Sequence, residues 1–126
     1  MALVWVKAGA CGQETTVEAR RTDMTHVAVE FTTTCEHVQK LAEALKTLDI
    51  AHEMSAPLLE TTVYKLASEH VCRNSCVVPA AVLKAMEVEA NIFPAAESQI
   101  VFVDSTMSHY NEDEKALHER SEEDTL

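Results

Sequence analysis

The stretch that decides the fold runs His26-Val-Ala-Val-Glu-Phe-Thr-Thr-Thr-Cys35-Glu-His-Val-Gln-Lys-Leu-Ala-Glu-Ala-Leu45-Lys-Thr-Leu48. Its hydrophobic period changes partway along. Over His26 to Thr33, Val27, Val29 and Phe31 alternate with Ala28 and Glu30, the period of a half-buried strand. From Cys35 onward the apolar positions are Val38, Leu41, Leu45 and Leu48, at helical spacing, while Glu36, Lys40, Glu43 and Lys46 take the opposite face. Thr34 stands where an N-cap is expected. A strand therefore hands over to a helix, and Cys35 sits at the junction.

Upstream, the pattern is all strand. Leu3 to Lys7 is short, apolar and β-branched, and Thr15 to Arg21 alternates with Thr15, Val17 and Ala19 on one face. Arg21 to Thr25 is a hairpin connection without an Asn-Gly signature. Downstream, a second helix is expected from Pro57 to His70, with Leu59, Val63, Leu66 and Ala67 inward and Pro57 in its first turn. A third starts at Pro79, carries Val82, Leu83, Met86 and Ala90, and ends at Asn91 and Pro94. The near-continuous apolar run Ile100-Val-Phe-Val103 within Gln99 to Asp104 predicts a final, central strand. Trp5 and Phe31 are expected in the core or at a subunit contact, the core being favoured. Strands, then helices, then a strand give an α+β class: a small, mainly antiparallel sheet of about four strands packed by three helices.

The 126 residues suit one domain, expected over residues 1–104, with an acidic extension, helical or disordered, over 105–126. Net charge is −11, and the stretch from Asp104 to Leu126 carries −6 of it. That excess argues against a nucleic-acid partner. No apolar run is long enough to span a bilayer. The first apolar run, Ala2 to Val6, is too short for a signal peptide and is followed rather than preceded by Lys7. The expectation is a cytoplasmic protein with reduced thiols. A protein partner or a homo-oligomer stays open.

Two glycines, Gly9 and Gly12, exclude GxGxxG, Walker and GxSxG motifs. Glu87 and Glu89 point to different helix faces and make no carboxylate pair. The informative residues are the four cysteines and six histidines. Cys11 lies between the first two strands, Cys35 at a strand–helix junction, Cys72 after the second helix and Cys76 before the third. All four stand at element boundaries, whereas a structural cysteine usually behaves as a small buried hydrophobe. Cys35 and Cys76 near helix N-termini are expected to have lowered pKa values. Gly12 would let the backbone approach a bound ion closely. Four unrelated thiols that meet nowhere are the plain alternative.

Only Cys72-x3-Cys76 is closely spaced, unlike paired zinc knuckles, and scattered thiolates are acceptable to an iron–sulfur cluster. An iron–sulfur cluster is therefore favoured over zinc. His37 and His70 are possible additional ligands, since His70-x-Cys72-x3-Cys76 is compact. On the plain reading, His37 is a surface residue and His70 complements a helix C-terminus. His26, His52, His109 and His118 have no constellation around them. A thiol redox or sulfur-transfer protein using Cys72 and Cys76 is the enzymatic alternative. A structural or regulatory partner protein without metal is the third.

The chain carries, in order, the motifs Val-Lys-Ala-Gly-Ala-Cys11-Gly12, Cys35-Glu-His-Val-Gln-Lys-Leu-Ala-Glu and Cys72-x3-Cys76-x-Val78-Pro79-Ala-Ala-Val-Leu-Lys-Ala-Met-Glu-Val. They resemble a group of small uncharacterised proteins of anaerobic bacteria and methanogenic archaea, a domain of unknown function. The resemblance covers roughly residues 3–104. Where the family pattern has an aromatic after the first Cys-Gly and a proline after the fourth cysteine, this chain has Gln13 and Val77. The resemblance implies that Cys11, Cys35, Cys72 and Cys76 occupy the family's four cysteine positions, and it implies an anaerobic setting. It implies no activity.

Overall fold

Val17 pairs across from Phe31, and Ala19 from Val29, in the central hairpin of the sheet. The computed structural model that shows this describes residues 1–104. Strands β1 (Ala2–Lys7), β2 (Glu14–Arg21), β3 (His26–Thr33) and β4 (Thr47–Asp49) form one antiparallel sheet in the order β1-β2-β3-β4. The predicted α+β class with a four-stranded antiparallel sheet is the class observed. The period-two reading of β2 and β3 holds: Val17, Ala19, Val27 and Val29 are buried on one face. Glu18 and Glu30 pair on the other face.

The helices are α1 (Glu36–Ala44), α2 (Ile50–Ser55), α3 (Thr62–His70) and α4 (Val78–Glu89). A single 3-10 turn, Leu58–Glu60, precedes α3. Helix α4 lies along β1 and β2, α1 lies on β3, and α3 fills the angle between α1 and α4. Val38 and Leu41 from α1, Val63 from α3, and Val82, Ala85 and Met86 from α4 meet the strand valines in one core. Asn91 adopts a left-handed conformation (φ 59°) and ends α4, as its position predicts. The C=O of Glu87 accepts the N–H groups of Ile92 and Phe93 there.

Several expectations are corrected. Thr34 is not the cap of α1; Cys35 is. Helix α1 stops before Leu48, because Leu45 turns to extended backbone (φ −108°, ψ 101°) and the chain enters β4. Leu48 is buried as a strand residue, paired with Val27. The helix expected from Pro57 to His70 is a 3-10 turn, Leu58–Glu60, followed by α3 from Thr62, and α2, which ends before Pro57, was not anticipated. Asp49 caps α2 by accepting the N–H of His52, and Thr61 caps α3 by accepting the N–H of Tyr64. Leu59 is 78% exposed, on the 3-10 turn, instead of inward. Trp5 lies on the uncovered face of β1 and not in the core. Gln99 to Asp104 forms no strand.

The chain divides into two units, Met1–Ala95 and Ala96–Leu126. The described part of the second, Ala96–Asp104, is exposed and without helix or strand. The expected extension over 105–126, with His109 and His118, lies outside the described residues. Among the described residues, no helix is long and apolar enough to cross a membrane.

Candidate functional site

The strand register brings the two N-terminal cysteines to one end of the sheet. Lys7 pairs with Glu14, so the β1–β2 loop, Ala8–Gln13, projects from that end with Cys11 near its tip. The loop is closed by Ala8 N–H donating to Gln13 C=O at 3.2 Å. Thr34 N–H donates to Glu14 C=O at 3.2 Å, and the Thr34 hydroxyl donates to Gln13 Oε1 at 2.6 Å. The residue after Thr34 is Cys35, so β3 delivers it beside the Cys11 loop. A hydroxyl pair, Thr15 to Thr33 at 2.7 Å, fixes this end of the sheet, and the Cys35 N–H donates to Thr33 Oγ1 at 3.1 Å.

Helix α4 brings the other two. Its last residue, Glu89, accepts the Arg21 N–H at 2.7 Å and pairs with the Met1 amine at 3.0 Å, so it lies at the far end of β2 and the start of β1. Since α4 lies along both strands, its N-terminus is at the opposite end, with the cysteine-bearing loops. Cys76 stands two residues before Val78, the first residue of α4. Cys76 N–H donates to Arg73 C=O at 3.2 Å, folding the α3–α4 connection into a turn that carries Cys72 and Cys76 together. All four cysteines are free thiols.

Cys35 and Cys76 are half-buried and pack against the core, whereas Cys11 and Cys72 are exposed. Burial pushes the Cys76 thiol above its usual pKa of 9.0, and negative charge on Cys72, Cys35 and Cys11 pushes it the same way. An N–H from Val78 at the start of α4 opposes this and does not prevail. The expected lowering of the Cys76 pKa by the helix terminus is thus overturned: loss of water around sulfur outweighs one oriented amide. The contributions of Cys72, Cys35 and Cys11 to this shift are smaller than that of burial. Among the described residues, no group of three or more His, Cys, Asp or Glu is gathered tightly enough to hold a metal ion.

The remaining candidates have plainer surroundings. His37 is exposed in the first turn of α1. His70, in the last turn of α3, has Nε2 3.9 Å from the Glu69 carboxylate. Gly12 has a positive φ (73°), as does Gly9 (90°), and Gly12 N–H donates to Gly9 C=O at 2.9 Å. A Cβ at either position would meet nothing within 4 Å. The tight turn, not close packing, accounts for both glycines.

Two carboxylates at structural posts escape sequence patterning. Glu53 is buried and accepts the N–H groups of Thr62 and Val63 at 2.7 and 3.2 Å, an anion at the start of α3. Asp23 accepts from the Thr25 N–H, the Thr25 hydroxyl and the His26 N–H at 2.8–2.9 Å. These bonds, Thr25 first, hold its carboxyl well below the ordinary value, at about 2. The Asp-x-Thr spacing at a hairpin is the signal that would have identified Asp23 as a turn residue. Glu53 had no such signal, because its partners depend on α2 and α3 packing together.

No curated protein and no solved structure matches the chain. One family model does, over residues 2–102, from the start of β1 through Phe102. That match spans all the strands and helices of the described residues and all four cysteines, and on it the chain belongs to a family of unknown function, DUF6951.

Proposed function

We propose that Cys11, Cys35, Cys72 and Cys76 serve as one thiolate site for a soft metal centre, an iron–sulfur cluster in preference to zinc. The observation that carries this reading is the meeting of three separate connections (β1–β2, β3–α1 and α3–α4) at one end of the sheet, each bearing cysteine. Thiolate is the donor set that soft metals and iron–sulfur clusters take. Four thiolates crowded together repel one another, and a cation relieves that repulsion. Cys35 and Cys76 are the fixed pair, set at the starts of α1 and α4 against the core. Cys11 and Cys72 are the exposed, loop-borne pair whose side chains must turn inward to complete a four-thiolate shell. The anaerobic setting implied by the sequence resemblance suits an oxygen-sensitive cluster. When bound, the group would supply electron transfer if a cluster, or cross-linking of the three connections if zinc.

Anaerobic purification, visible absorption and metal analysis test the reading. The expected result is a coloured protein whose colour is lost in Cys35→Ser and Cys76→Ser. A colourless protein with less than about one metal per chain sinks it.

The turn that joins Cys72 and Cys76 favours a second reading, a thiol redox or sulfur-transfer protein. Exposed Cys72 would be the attacking thiol and half-buried Cys76 its partner. Rapid alkylation of Cys72 near neutral pH supports it, and slow labelling of both thiols counts against it.

A further inference from the structure

Strand β1 and the segment Ile100–Val103 share a property that β2 and β3 lack: both are apolar on two faces. Along β1, Ala2 and Val6 are buried, Val4 is half-buried, and Leu3 and Trp5 point to the other face, 62% and 63% exposed. Among the described residues β1 is an edge strand, hydrogen-bonded to β2 alone, so a row of its backbone N–H and C=O groups faces outward. Ile100, Val101, Phe102 and Val103 are between 68% and 97% exposed and belong to no strand. Four consecutive apolar residues of high β propensity left in water are the counterpart of an unpaired edge. The family match includes both β1 and this segment through Phe102, so both belong to the shared domain.

Charge follows the same complementarity. Lys7 stands at the far end of β1, the Met1 amine at the other end being paired with Glu89, and a carboxylate stands near each end of the segment, Glu97 and Asp104. The apolar stretches are five residues in β1, Ala2 to Val6, and four in the segment, Ile100 to Val103. A strand added beside β1 would place alternate side chains next to Val4 and Val6 on the core face, and next to Leu3 and Trp5 on the open face. It would extend both apolar faces of β1 and set a carboxylate of the segment beside Lys7.

From these features we infer that residues 99–103 of one copy of the chain add as a fifth strand to the β1 edge of a second copy, each copy giving and receiving one strand. The five residues from Pro94 to Ser98 reach about 17 Å when extended, and they leave α4 at the end of the sheet where β1 begins, since Glu89 pairs with the Met1 amine. Reciprocal exchange closes the assembly as a dimer and leaves neither apolar segment in water.

The test uses the full chain. Val101→Pro removes a backbone N–H and bars strand pairing at an exposed position outside every helix and strand, so the folded unit is untouched. Val101→Thr keeps β propensity. Light scattering coupled to size exclusion is expected to give twice the chain mass for the wild type and Val101→Thr, and the single chain mass for Val101→Pro. Amide exchange is expected to be slow in both β1 and residues 99–103 of the dimer, and fast in both for Val101→Pro. A wild type that stays monomeric at high concentration overturns the inference. So does a dimer that survives Val101→Pro. A monomer with both segments protected overturns it too, since the strand would then pair within one chain.

Discussion

The carboxylate of Glu53, on α2, accepts the backbone N–H of Thr62, the first residue of α3, at 2.7 Å across the intervening turn. A second bond, from Val63, makes Glu53 a lateral cap: an anion supplied by another helix to the unpaired amides of α3. The site is buried, so water cannot replace the acceptor.

Glu53→Ala is therefore expected to lower stability by about 2 kcal/mol, since it strands one buried and one part-buried donor. Glu53→Gln keeps one acceptor oxygen and is expected to cost less. Urea unfolding followed by circular dichroism measures both, and equal losses would show that packing, not hydrogen bonding, is what Glu53 supplies.

Gly12→Ala is expected to cost about 1 kcal/mol. The cause is conformational strain at φ 73°, since a Cβ there meets open space. Gly12→Asn, which tolerates the left-handed region better, is expected to recover part of the loss in the same urea assay. A full loss with Asn would point to a contact the turn geometry does not contain.

Acid is expected to loosen the Arg21 end of the sheet. The folded Asp23 carboxyl is held at about 2 against an ordinary 3.8, so it favours the folded state above 3.8, and the gain disappears as pH falls towards 2. Glu89 shifts in the same direction, because the Arg21 N–H and the Met1 amine favour its charged form; its support likewise fades below the ordinary 4.5. Carboxyl-carbon NMR titration reads both groups. Asp23→Asn is expected to flatten the acid dependence near His26 while leaving the neutral-pH fold intact.

Metal uptake at the cysteine end is expected to strengthen with rising pH. Burial keeps the Cys76 thiol protonated beyond its usual range, so a metal must displace that proton to bind sulfur. Calorimetry of zinc binding in buffers of different ionisation enthalpy should record proton release. Binding with no proton release would exclude Cys76 as a ligand.

Much of the fold was legible where one period ran long enough to read. β2 and β3 alternate cleanly, and the third predicted helix begins and ends within one residue of α4. What escaped was short or depended on other elements. Leu48 continues the spacing of Leu41 and Leu45, so three residues of strand are hidden at the end of a helical pattern. Pro57 reads as a helix start, yet the true caps are Asp49 and Thr61 on either side of it. The apolar run at Ile100 predicts a buried strand, but a run of side chains does not say which edge, or which molecule, receives it. The boundary positions of the cysteines were visible from the start. That the connections bearing them lie at one end of the sheet was not, because it follows from the direction of α4 along β2. The burial that raises the Cys76 pKa is a property of the packed state alone.

The strand order has a kinetic consequence. Neighbours in the sheet are neighbours in the chain, so the hairpins can close early and locally. The cysteine end is different: Cys11 and Cys76 lie far apart in sequence, and their connections come to the same end of the sheet only once α4 has docked on β1 and β2. On the proposed reading, a nascent chain would offer a metal just the local pair Cys72 and Cys76, and the full set of thiols only as folding finishes. Capture of a metal at that end would then act as a ratchet on the last step, slowing unfolding far more than it speeds folding.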